Sequence, residues 1–220
     1  MQLIIGNKNY SSWSLRAWLL LTTFNLEFEE VQESLRQDTH EGSLKGRLGK
    51  YSPTSRVPVL IDNQLTVWDS LAIGEYVSEQ YLGGKGWPAD VALRAEARAI
   101  CAEMHSGFMG LRCELPMNCR ATRQVTPSEA AKQDIARIDE IWSHCMTHYE
   151  GPWLFGNFSI ADSFYAPVVL RFQTYGISLS EAANRYQAFA LQYEALNKWV
   201  DAGKAETEIV PEDETGIDVS

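Results

Sequence analysis

The sequence predicts a small α/β unit built on a mixed sheet, followed by an all-helical unit. Three observations carry that prediction. Strand-like apolar runs occur only before Asp69, helix-start residues sit between them, and beyond the Gly83-Gly84 pair the apolar residues recur at helical spacing alone.

Gln2 to Ile5 is a short apolar run of strand type. The polar turn Gly6 to Ser12 then puts Ser11 or Ser12 at a helix start, and Leu15, Trp18, Leu19 and Thr22 share one face of that helix. Leu26 to Val31 alternates as a strand does, while Glu33 to Tyr51, polar and dotted with glycine, leaves room for a short irregular helix. Val57 to Ile61 and Leu65 to Trp68, separated by Asp62, Asn63 and Gln64, read as an antiparallel hairpin. Asp69 or Ser70 caps the next helix, whose apolar face is Ala72, Ile73, Tyr76 and Val77 and which ends near Gly83. The order is therefore βαβαββα.

Residues 1–83 are expected to form the first unit, 84–88 a linker, 89–204 the helical unit and 205–220 a loose acidic tail rich in turn formers. In the helical unit, Leu93, Ala97, Ile100, Met104, Phe108 and Leu111 form one stripe along a single long helix. Pro127 marks another helix start, with Ile135, Ile138, Trp142, Cys145 and Tyr149 on the buried face. Helical patterns recur near Ile160 to Phe172, where Pro167 is expected to introduce a kink, and near Phe189 to Val200.

Composition narrows the function. With 220 residues and 45% hydrophobic content the chain buries a proper core, and a net charge of -10 repels phosphate backbones and anionic lipid. Nucleic acid and membrane surfaces are therefore not expected partners; a small molecule is. No apolar run approaches the roughly 18 residues needed to span a bilayer. Cys101, Cys113, Cys119 and Cys145 show no CxxC pair and no metal-type repeat, which fits reduced thiols in a cytoplasm. His144 and His148 have metal spacing on a helix but no third ligand pattern, so no metal is expected.

Three short stretches hold the candidate chemistry. Tyr10-Ser11-Ser12-Trp13-Ser14-Leu15-Arg16 brings hydroxyls to a helix N-terminus, which stabilises an anion; the same serines also serve as plain caps. Ser55-Arg56-Val57-Pro58-Val59 opens a strand with a proline. In the trans form Pro58 simply starts an edge strand, and in the cis form Val57 offers its main chain to an added peptide. Asp69-Ser70 caps the next helix and suits an α-carboxylate and amine. In open α/β sheets, ligands lie where such termini meet.

These stretches, with Asp69-Ser70-Leu71-Ala72-Ile73 in the same order and at suitable separations, resemble the glutathione transferase superfamily. Ser11 to Arg16 is similar to the zeta and related serine classes. Gly156-Asn157-Phe158-Ser159-Ile160-Ala161-Asp162 resembles the superfamily's helical capping motif, in which Ser159 and Asp162 satisfy each other's donors.

The resemblance implies a thioredoxin-like first domain that binds glutathione as co-substrate, an all-helical second domain, and a homodimer. Ser11 or Ser12 is the expected thiolate donor, and Arg56, Val57, Pro58, Asp69 and Ser70 are expected on glutathione. Trp13, Met104, His105, Phe108 and Arg112 are expected around the electrophile, with Arg112 placed to steer an acidic substrate. Trp13 stands where the zeta pattern has cysteine, which argues against maleylacetoacetate isomerisation. A lack of cysteine before residue 101 excludes thiol–disulfide exchange in the first domain. Conjugation is the expected reaction, with isomerisation, dehalogenation or simple binding as alternatives.

Overall fold

The computed structural model describes residues 1–219. Its first unit contains β1 (Gln2–Ile5), α1 (Ser12–Thr23), β2 (Glu29–Gln32), the two-residue strands β3 (Asp38–Thr39) and β4 (Gly42–Ser43), α2 (Leu44–Gly49), β5 (Val59–Asp62), β6 (Leu65–Val67) and α3 (Ser70–Gln80). The main sheet has the order β2-β1-β5-β6. β1 runs parallel to β2 and antiparallel to β5, with Leu3 opposite Leu60. Leu3, Ile4 and Ile5 are fully buried, as an apolar run in a central strand requires.

The helical unit contains α4 (Val91–Ser106), α5 (Met109–Glu114), α6 (Glu129–His148), α7 (Ile160–Thr174), α8 (Glu181–Ala190) and α9 (Glu194–Ala205). After α9 come a 3-10 turn, Pro211–Asp213, and β8 (Ile217–Asp218), which pairs antiparallel with β7 (Arg123–Gln124). Trp142 centres this half, with ring contacts to Tyr165, Phe172 and Tyr186 at 6.1, 5.4 and 4.9 Å. Truncating such a residue to alanine costs about 3–5 kcal/mol. Among the described residues no helix is long and apolar enough to cross a membrane.

α1 joins the two halves. It packs on β1, α3, α7 and α9, and Ser14 through Leu21 are all buried. The single apolar face expected from sequence is thus the whole circumference, because α1 is covered by the sheet on one side and by α7 on the other. α7 is held at its start by the Ser159–Asp162 capping box. Asp162 accepts from the Ser159 and Leu154 N–H groups at 2.9 and 3.0 Å, and burial raises its pKa to about 6.

Four expectations need correction. The second strand begins at Glu29, not Leu26, since Leu26 and Phe28 pack into the core before the ladder starts. α3 buries Ile73, Gly74, Val77 and Ser78 and leaves Ala72 exposed. The stripe from Leu93 to Leu111 is broken: α4 stops at Gly107, where an added Cβ would lie 2.9 Å from the Glu103 carbonyl oxygen, and Phe108 takes a left-handed conformation at φ 59° before α5. The acidic segment after Ala205 is not loose, because its carboxylates meet N–H groups at the start of the chain and the Arg120 and Arg123 guanidinium groups near its middle.

Candidate active site

The loop from β1 to α1 turns sharply, with the Asn7 carbonyl accepting from the N–H groups of Tyr10 and Ser11 at 3.1 and 2.8 Å. Ser11 caps α1. Its Oγ accepts from the Ser14 N–H at 3.4 Å and donates to Ser14 Oγ at 2.7 Å, which in turn accepts from the Gly6 N–H at 3.1 Å. Ser12 opens the helix, and its Oγ accepts from Arg171 Nη2 at 3.2 Å. A cation from α7 therefore touches the serine at the start of α1.

The same loop is clasped by the chain's last segment. Glu206 accepts from the main-chain N–H groups of Lys8 (2.6 Å) and Asn9 (3.1 Å) and from Gln32 Nε2 (2.6 Å). Glu208 accepts from Asn7 Nδ2 at 2.7 Å and Ser34 Oγ at 2.8 Å, and Glu214 takes the Tyr10 hydroxyl and pairs with Arg123. α9 comes so near that a Cβ on Gly203 would sit 3.1 Å from the Asn9 nitrogen. Glycine is the residue that permits this approach.

A cavity of about 1090 Å³ lies between the two halves. Ser11, Ser12 and Trp13 line it from the start of α1, Arg56, Val57 and Pro58 from the approach to β5, and Asp69 from the cap of α3. The Val57–Pro58 peptide bond is cis. The β1–β5 ladder begins at Val59, opposite Ile4, so Val57 lies past its end. Asp69 Oδ1 accepts from the Leu71 and Ala72 N–H groups at 2.9 and 3.4 Å, and Oδ2 lies 3.0 Å from His105 Nε2. Arg56 is exposed at the rim.

The helical wall is cationic and aromatic. Trp13 has the Arg16 and Arg112 guanidinium groups 4.3 and 4.4 Å from ring centroids, and His105 meets it edge-on at 5.2 Å. Arg112 Nη1 donates to the His105 and Gly107 carbonyls, each at 3.3 Å, closing the end of α4 and holding its guanidinium at the cavity wall. Burial pulls the proton affinity of three arginines down, to about 9 for Arg16 and about 10 for Arg171, and lowers it for Arg112. All three remain cations at neutral pH. Asp213 also lines the cavity, and burial raises its pKa to about 6 against the pull of Arg171.

Nine of the expected site residues thus line one cavity: Ser11, Ser12, Trp13, Arg56, Val57, Pro58, Asp69, His105 and Arg112. Three do not. Ser70 is buried behind the cap with its hydroxyl unpartnered among the described residues. Met104 faces inward from α4 with Ala97 and Cys101, and the α4–α5 break sends Phe108 into the core. Sequence reasoning missed Arg171 and Asp213. For Arg171 a signal existed, since it is the one charge between Ser163 and Phe172 in an apolar helix; for Asp213 none did. Among the described residues no group of three His, Cys, Asp or Glu is placed to hold a metal ion.

Residues 10–80 match the family described as "Glutathione S-transferase, N-terminal domain". Dichloromethane dehalogenase of Methylorubrum extorquens is 50% identical over 38 residues, 17% of this chain and only 13% of that protein's length. A probable maleylacetoacetate isomerase of Caenorhabditis elegans is 26% identical over 176 residues, 77% of each chain. A glutathione transferase homologue from a Burkholderia species, crystallised with bound glutathione, superposes with a TM-score of 0.70 at 25% identity, covering 92% of this chain and 97% of that one.

Proposed function

Because the chain belongs to the glutathione transferase superfamily, we propose that its cavity binds glutathione and transfers the thiolate to a small electrophile. The tripeptide runs along Val57 and Pro58, with its γ-glutamyl end at the Asp69-Ser70 turn and its sulfur at Ser11 and Ser12. The observation that carries this reading is the convergence of the α1 start, the Val57 edge and the α3 cap on one cavity.

A free cysteine thiol titrates near pH 8.5, so a depression of about two pH units, or about 2.7 kcal/mol, makes most of it thiolate at neutral pH. Ser12 accepts from Arg171, which leaves its own proton for the sulfur; Ser11 donates to Ser14 Oγ, which already accepts from Gly6, and serves the sulfur only by turning its hydroxyl away from Ser14. The start of α1 adds its partial positive charge. The thiol proton leaves to solvent, the sulfur attacks the electrophilic carbon, a carbon–sulfur bond forms, and a leaving group such as halide departs with its bonding pair. A serine here acts as a donor, never as a covalent nucleophile.

The test is thiolate absorbance against pH in the glutathione complex, with conjugation of 1-chloro-2,4-dinitrobenzene as the activity assay. Ser11→Ala and Ser12→Ala together are expected to raise the titration midpoint by about one unit or more, and the single variants apportion the effect. An unchanged midpoint in the double variant would refute the assignment. Tight glutathione binding without turnover of any electrophile would instead give the fold a binding role only.

A further inference from the structure

We propose that Asp213, carried to the cavity by the chain's last segment, is the first acceptor of the glutathione thiol proton on its way to solvent. The inference rests on the glutathione reading above and adds to it the group that takes the proton.

Elimination around the cavity is the first support. A base needs a free lone pair within reach of the proton, directly or through one water. Arg56, Arg112 and Arg171 are cations and accept nothing. Asp69 is taken up by the α3 cap and by His105 Nε2, while the other His105 nitrogen, Nδ1, is buried. The Tyr10 hydroxyl donates to Glu214. Asp213 is the titratable lining group that remains, half-buried and with no hydrogen bond to its carboxylate among the described residues. Its place is fixed: the Asp213 N–H donates to the carbonyl of the buried Val210 at 3.0 Å, and the next residue, Glu214, is held by Tyr10, Asn118, Arg120 and Arg123.

Charge balance is the second support. Arg171 donates to Ser12 Oγ at 3.2 Å and also attracts Asp213, so one guanidinium serves both ends of the transfer. A thiolate whose proton went straight to solvent would leave two anions in one cavity. Moving the proton to Asp213 turns an arginine–carboxylate pair into an arginine–thiolate pair and leaves the net charge of the cavity unchanged. The S–H bond breaks, its electron pair stays on sulfur, and an O–H bond forms on Asp213; that proton passes to solvent after the carbon–sulfur bond has formed. The other titratable groups facing Asp213 are Tyr175 on α7 and its own neighbours Glu212 and Glu214, the last of them paired with Arg120 and Arg123. With a pKa raised to about 6 by burial, Asp213 is ionised at neutral pH and can take a proton there. That value lies near the roughly 6.5 of a thiol lowered by about two units, a match that favours transfer.

The experiment is calorimetric titration of the full chain with glutathione at neutral pH in two buffers of different ionisation enthalpy, which counts the protons released. Thiolate absorbance counts the thiolates formed, and the proton count with S-methylglutathione, which has no thiol, is subtracted. The unmodified protein is expected to release fewer than about 0.5 protons per thiolate, because the new thiolate raises the Asp213 carboxyl further, and Asp213→Asn about one. Release of about one proton per thiolate by the unmodified protein overturns the proposal, whatever the fate of the variant. So does a count in Asp213→Asn as low as in the parent, which would move the acceptor elsewhere. Binding without thiolate absorbance overturns it too, since no proton is then moved. Absence of any glutathione binding would sink the underlying reading of the site, and is seen separately in the first titration.

Discussion

Replacing Glu206 by alanine tests whether the terminal clasp holds the serine-bearing loop. The change removes the acceptors of the Lys8 and Asn9 N–H groups and of Gln32 Nε2. Asn9 is fully buried, so its N–H is stranded, at a cost of about 1–3 kcal/mol. Lys8 is half-buried and water partly replaces its partner, for about 0.5–1.5 kcal/mol, while the exposed Gln32 adds little. The expected loss is about 2–4 kcal/mol. With a urea slope of about 3 kcal/mol/M for a chain of this size, the unfolding midpoint falls by about 1 M. Glu206→Gln keeps one acceptor oxygen and should lose about half as much. The glutathione dissociation constant should rise in both variants, more in Glu206→Ala, because the loop that carries Ser11 is the part released. A midpoint within about 0.2 M of the parent in Glu206→Ala would refute the reasoning, since it would mean that neither N–H depends on this carboxylate.

Asp162 has a folded pKa of about 6, above the usual unfolded value near 3.9, so the folded state holds a proton that the unfolded state releases first. Its contribution is fully present below about pH 4 and is lost as pH rises through about 6; urea midpoints across that window should decline, and Asp162→Asn should flatten the decline. Asp213 lines the cavity and its pKa is raised to about 6, so it is a carboxylate at neutral pH; S-methylglutathione, a net anion without a titrating thiol, should bind more tightly as pH falls through that value, and Asp213→Asn should bind it with a weaker pH dependence by calorimetry. Gly110→Ala should destabilise the fold by about 1–3 kcal/mol in urea unfolding, because its Cβ would lie 2.7 Å from the Ala131 nitrogen and 2.8 Å from the Ala130 carbonyl carbon, both main-chain atoms.

The elements that could be read from sequence are those whose signals are local. β1 is one apolar run, the β5–β6 hairpin has its polar turn, and α1, α3 and α7 each carry a cap that the structure uses, with Ser11, Asp69 and Ser159 as N-caps. The parts that misled depend on distant partners. Nothing near Glu206 or Glu208 in sequence shows that their acceptors serve residues about 200 positions away. The α4–α5 break escaped because its apolar residues keep helical spacing across Gly107, so periodicity alone joins two helices. Met104 and Phe108 were assigned to the cavity from their helix, yet the inward stripe of a helix is also its core stripe, and only packing decides between the two.

α7 works as a ruler laid between two points of the molecule. Its zero mark is Asp162, pinned to the Leu154 and Ser159 amides; nine residues on, about 13.5 Å along the axis at 1.5 Å per residue, it delivers the Arg171 guanidinium to Ser12. Damage at the buried origin of that scale would shift the far reading, so a substitution remote from the sulfur alters how firmly a proton is held beside it.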